Sequence, residues 1–155
     1  MKNVKLMILI VALFQLGCTE QKIENYDIAT PLKVKANLAR KSQKAVKMEL
    51  CNLASFNWDK IIVVRPYSTK SMIRGYKLEN SEYVEDNLLG ILSHEEHSLL
   101  LFIEQNKIVR YSYVPREIID FCYINNKMVS EAISRTTACQ QLYVKEVNLN
   151  LKLYL

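Results

Sequence analysis

The stretch Leu99-Leu100-Leu101-Phe102-Ile103-Glu104-Gln105-Asn106-Lys107-Ile108-Val109-Arg110-Tyr111-Ser112-Tyr113-Val114 reads as a β-hairpin. Its first arm, Leu99 to Ile103, is wholly apolar. In the second, Lys107 to Val114, Val109, Tyr111 and Tyr113 alternate with Arg110 and Ser112, the period of a strand with two unlike faces. Glu104-Gln105-Asn106 turns the chain, and Pro115, which cannot donate to a ladder, closes the second arm.

Upstream, Phe56 to Val64 reads as another strand, and its β-branched end Ile61-Ile62-Val63-Val64 suits burial on both faces. Arg65-Pro66-Tyr67 ends it; Ser68 or Thr69 then caps a short helix that runs through Arg74 and stops at Gly75. Residues 79–97 are polar around a small Leu88 to Leu92 cluster. Further back, Thr30-Pro31 opens a helix. Leu32, Ala36, Ala39, Val46, Leu50 and Leu53 recur at helical steps, which predicts about 18 to 22 helical residues. Downstream, Ile118 to Ile124 is a further strand and Ser130 to Ala138 a short helix or loop. Tyr143, Val147, Leu149, Leu151, Leu153 and Leu155 share one face of a terminal strand. The fold class expected is α+β, with a long N-terminal helix packed on a mostly antiparallel sheet of four or five strands.

The 155 residues are enough for one domain over 30–155, half of them are apolar, and three glycines and three prolines exclude collagen-like and low-complexity chains. The N-terminus reads as an export signal over 1–17: Lys2 and Lys5 precede the apolar run Leu6 to Leu16, which is too short to span a bilayer. Residues 18–29 then read as a polar tether to the fold.

With Leu16, Gly17 and Cys18 closing that run, the chain resembles a bacterial lipoprotein, although Gln15 stands where that class usually has an aliphatic. The resemblance implies cleavage before Cys18, a diacylglycerol on its thiol and anchoring in the cell envelope. Thr19 in place of an Asp resembles lipoproteins sent to an outer membrane, facing the periplasm. A second likeness runs over Leu53 to Tyr67 and Leu99 to Tyr113. Phe56-Asn57-Trp58-Asp59, the aliphatic strand, Pro66-Tyr67 and the later hairpin look like segments of small lipoproteins of unassigned function. It implies an exported α+β domain with no catalytic residues to carry over.

Removing residues 1–17 lowers the net charge from +5 to +3, too mild to mark a nucleic-acid binder. The cations are nonetheless gathered: between Asp27 and Glu49 there are six and no acid. Of these, Lys33, Arg40, Lys44 and Lys47 fall on one face of the expected helix, a candidate contact for anionic lipid or an acidic envelope partner. A plain solvated face is the alternative.

With Cys18 given to lipid, Cys51, Cys122 and Cys139 allow three pairings or three reduced thiols. The short loop favours Cys122 with Cys139. Trp58, Asp59, Arg65 and Tyr67 form a candidate binding edge, against a reading of Trp58 as core anchor and Asp59 as strand starter.

Chemistry is sparse. His94-Glu95-Glu96-His97 lacks the His-Glu-x-x-His spacing of a zinc protease, and no Gly-x-Ser-x-Gly elbow exists. No catalytic residue, metal or cofactor is expected. The expected function is a lipid-anchored, non-catalytic binding or assembly domain. The alternatives are an envelope hydrolase using His94 or His97, and an inhibitor or exclusion factor against a foreign enzyme or phage.

Overall fold

The computed structural model describes residues 22–147 and 150–155. Their order is β1 (Glu24–Asn25), α1 (Ala29–Ser42), β2 (Val46–Lys47), α2 (Leu50–Leu53), β3 (Lys60–Val64), α3 (Lys70–Gly75) and α4 (Ser81–Asn87). There follow a 3-10 turn (Leu89–Ser93), β4 (His97–Glu104), β5 (Lys107–Pro115), β6 (Tyr123–Ile124), β7 (Lys127–Met128), β8 (Ile133–Ser134), α5 (Arg135–Gln140), β9 (Tyr143–Val147) and β10 (Asn150–Tyr154). The fold is mixed α and β, as expected, but it holds two five-stranded sheets rather than one.

The first sheet runs β1-β5-β4-β3-β8 and the second β2-β9-β10-β6-β7. The pairing is antiparallel except for β1 on β5 and β6 on β10. The hairpin β4–β5 is the spine. Leu99, Leu101 and Ile103 point into one apolar layer with Ile73, Val84, Leu88 and Leu92 of the short helices. Leu100 and Phe102 point into the other, with Leu32, Ala36 and Ala39 of α1 and with Ile124, Val144 and Leu153 of the second sheet. The unbroken apolar run of β4 therefore follows from burial on both faces.

Three expected elements are corrected. First, α1 is 14 residues long, not 18 to 22, because Gln43 takes a left-handed conformation (φ 54°) and ends it. The chain beyond Gln43 becomes β2, where Val46 pairs with Val144, and then the separate α2. Second, β3 begins at Lys60 rather than Phe56, because Asp59 turns the chain: its N–H donates to Ile103 O (2.6 Å) and its Oδ2 accepts from Gln105 N (2.8 Å). Third, the tail is two strands. β9 and β10 pair antiparallel from Asn150↔Val147 to Tyr154↔Tyr143, so parity changes between them: Val144 and Leu153 are buried while Tyr143 is exposed.

The stretch read as a tether is part of the fold from residue 23 onward. Ile23 and Ile28 are buried, Tyr26 N donates to Tyr111 O (2.8 Å), and the Tyr26 hydroxyl donates to Leu53 O (2.8 Å). Asp27 supplies the helix-start contact expected of Thr30: its carboxylate accepts from Thr30 N (3.1 Å) and Thr30 Oγ1 (2.7 Å). The hydroxyl bond, chiefly, holds its pKa below the ordinary carboxylate range.

The disulfide joins Cys51 of α2 to Cys139 of α5, with Cα atoms 5.3 Å apart. Cys122, expected to pair with Cys139, is instead free and buried. It lies in the segment between β5 and β6, whereas α2 and α5 lie side by side.

Candidate functional groove

Two cavities meet at one end of the first sheet, sharing Arg116 and Tyr123 in their walls. The larger, about 740 Å³, lies where residues 117–123 peel away from β10, walled by Arg40, Asp120, Asn126 and Lys152. The smaller, about 460 Å³, lies beyond the end of β3, among Arg65, Pro66, Tyr67, Met72, Tyr123 and Met128. Tyr67, Met72, Tyr123 and Met128 are all exposed, a concentration of large apolar side chains that a solvated surface does not require.

Local chemistry sets each wall. Arg65-Pro66-Tyr67-Ser68 closes a turn with Ser68 N donating to Arg65 O (3.2 Å), Pro66 at its second position and Tyr67 at φ 61° in its third. That third position ordinarily takes Gly or Asn. Tyr67 N donates to Leu92 O (2.9 Å), which holds the ring out from the sheet end. Opposite, Asn125 (φ 53°) and Asn126 (φ 60°) make the tight turn between β6 and β7 and so fix Tyr123 and Met128 side by side. The Arg65 guanidinium rests against the Met128 sulfur.

Arg116 is clamped between the cavities. Its Nη1 donates to Glu95 O (3.0 Å), its Nη2 to Asp120 Oδ2 (2.7 Å) and its backbone N to Glu96 O (2.9 Å). The Asp120 bond is the main reason its pKa lies above the ordinary arginine value. Arg40 Nη2 donates to Glu117 O (3.1 Å) and Lys152 Nζ to Asn126 Oδ1 (2.8 Å), so both are held by neutral acceptors. Cys122 lines the smaller cavity, but burial, with Asp120 beside it, pushes its thiol up to about 11.

The structure divides the expected binding edge. Arg65 and Tyr67 line the groove. Trp58 is 1% exposed in the core, and Asp59 sits at the opposite end of β3, bound to the β4–β5 turn. The four expected cations separate too: Lys33 lies on the exposed side of α1, Arg40 enters the groove wall, and Lys44 and Lys47 lie beyond the helix end. His94 is exposed after the 3-10 turn, while His97 opens β4 with its ring edge-on to Tyr113. Cys18 lies outside the described residues. Among those residues no group of three metal-ligating side chains occurs, and no helix is long and apolar enough to cross a membrane.

Met72, Arg116 and Met128 went unread in the sequence, and Tyr123 reads there only as part of the strand Ile118 to Ile124. The signal for two of them was present: Asn125-Asn126 between Tyr123-Ile124 and Lys127-Met128 is a hairpin signature.

Tyr67→Gly tests the turn. It relieves a left-handed backbone costing about 1–2 kcal/mol, offset in part by glycine's greater freedom when unfolded. The expected result in chemical denaturation is no loss of stability and a gain of up to about 1 kcal/mol. A clear loss would mean that the exposed ring is a packing group.

No protein-family model matches the chain, and neither the curated proteins nor the solved structures contain a match to it.

Proposed function

We propose that the chain is a lipid-anchored protein of the bacterial cell envelope. It is fastened through Cys18 to the outer membrane, faces the periplasm, and acts as a non-catalytic binding or assembly domain whose binding surface is the groove. The anchor is supported by the lipoprotein-like layout from Lys2 to Cys18. The binding reading is carried by the placement of the groove. β1 lies parallel on β5 with Glu24 beside Arg110, so the chain enters at the Gln105-Asn106 end of the first sheet. The groove opens at the other end, beyond Val64 and Pro115. The nine residues of β5 separate the two ends by about 30 Å, so a domain held by its N-terminus presents the groove away from its anchor.

Growth with an alkyne-bearing fatty acid tests the anchor. The wild-type chain should take up the label, and Cys18→Ser should remove it and release the protein from the membrane fraction or leave it uncut. An unlabelled wild-type chain would refute the anchor. A photo-crosslinking residue at Tyr67 or Tyr123 tests the groove in intact envelopes. Adducts are expected there and not from Gln105; equal adducts from all three positions would refute the assignment.

A further inference from the structure

Helix α1 is apolar on two opposite sides. Leu32, Ala36 and Ala39 are buried in the core. Turned away from them are Val34 and Leu38, 66% and 52% exposed and one turn apart. At 100° per residue, Lys41 projects about 20° from Val34, Asn37 about 60° and Lys33 about 100°, all on the side away from Leu38; all three are exposed. Scattered aliphatics on a surface are ordinary. Two stacked aliphatics among lysines are the pattern of a helix lying in a membrane interface.

Charge decides the kind of surface. From Ile28 to Met48 the chain carries no acid. Lys35 and Lys47 lean on Glu49 (3.6 and 3.9 Å), and Arg40 reaches into the groove wall. Lys33 and Lys41 have no carboxylate partner among the described residues. Lys41 stands on the outward side of the helix and Lys33 on its flank, each exposed and free for an external anion.

We propose that the outer side of α1 lies on an anionic phospholipid surface, with Val34 and Leu38 seated at the acyl boundary and Lys33 and Lys41 among the phosphates. The occupant is a lipid headgroup layer, because the same side offers insertion and charge together. Two aliphatics and two lysines hold weakly by themselves, so the contact orients a domain already brought to the membrane; to that extent it rests on the anchored reading.

The test uses the full chain carrying Leu38→Trp, reconstituted in vesicles with dibrominated lipid. Trp58 is buried, so the wild-type chain supplies the background emission. In vesicles containing phosphatidylglycerol the new indole should shift to the blue and be quenched; in pure phosphatidylcholine it should not. Each lysine is worth about fivefold in the surface-bound population, so Lys33→Gln with Lys41→Gln should remove most of the quenching. Three outcomes overturn the proposal: an unquenched indole on a firmly attached protein, equal quenching in neutral vesicles, and burial of the indole against a second copy or another protein. Failure of the anchor is seen separately, as protein that does not float with the vesicles. Because the contact is weak by itself, that unattached product should be quenched only at a large excess of phosphatidylglycerol vesicles, and no quenching even there would also overturn the proposal.

Discussion

Replacing Cys51 or Cys139 by Ala should lower the unfolding free energy by about 4–5 kcal/mol, the chain-entropy value for a closed loop of this size. The bridged residues are 88 apart, so the bond closes more than half of the chain into one loop. It also joins α2, which follows the end of α1, to α5, which follows the β3-bound strand β8. Each single variant should equal the double variant, since either alone breaks the same bond. Wild type unfolded in the presence of reductant should fall to the same value. Cys122→Ala is the discriminating control: it removes a buried thiol but no crosslink, and should cost about 1–2 kcal/mol. Were Cys122 the partner of Cys139, Cys122→Ala would cost as much as Cys139→Ala, and Cys51→Ala would leave the bond intact. Thiol titration reads the same assignment differently. One thiol beyond Cys18 should react in the unfolded chain. In the folded chain it should stay almost silent until the pH approaches its raised value of about 11, because below that the buried sulfur holds its proton. A fast-reacting thiol at neutral pH would contradict the pairing.

The pairing escaped the sequence for the same reason as much of the second sheet: both depend on contacts distant along the chain. The β4–β5 hairpin was legible because its alternation and turn are local. What local reading missed was punctuation. Among the described residues eight non-glycine positions take positive φ, and no glycine does. Gln43 therefore ends α1 with no Gly or Pro to mark it, and the apolar spacing of Val46, Leu50 and Leu53 runs on through the break. The tail failed by parity. Odd-numbered residues from Tyr143 to Leu155 form one apolar face on paper, but pairing Val147 with Asn150 turns the chain back, and the inward face changes from even to odd numbers. The groove was half legible. Arg65 and Tyr67 follow a strand-ending Pro, whereas Arg116 and Tyr123 reach the same place only through β5 and β6.

Trp58→Ala should destabilise the protein by about 3–5 kcal/mol, the range for removing a large buried aromatic. As part of a binding edge Trp58 would be dispensable to the fold; at 1% exposure it is a core group. Its ring meets Phe102 edge-on at 5.7 Å, Phe102 meets Phe56 at 5.1 Å, and Phe56 meets Tyr26 at 4.9 Å. The Arg135 guanidinium covers the indole at 5.5 Å. This row joins the N-terminal segment, the approach to β3 and the central strand β4, so one truncation loosens three parts of the chain. The indole also carries a cost: its Nε1 is buried with no acceptor among the described residues. Trp58→Phe removes that orphan donor, whose burial costs about 1–3 kcal/mol, while giving up part of the ring volume. The two changes oppose each other, so Trp58→Phe should lie within about 1–2 kcal/mol of wild type. Urea unfolding followed by far-ultraviolet circular dichroism serves both variants and does not depend on the indole. Against a total stability of about 5–15 kcal/mol, the expected order is a large fall in midpoint for Trp58→Ala and a small shift of either sign for Trp58→Phe. Equal losses in the two would show that the indole nitrogen has a partner and that the hydrogen bond, rather than the ring, holds the segment in place.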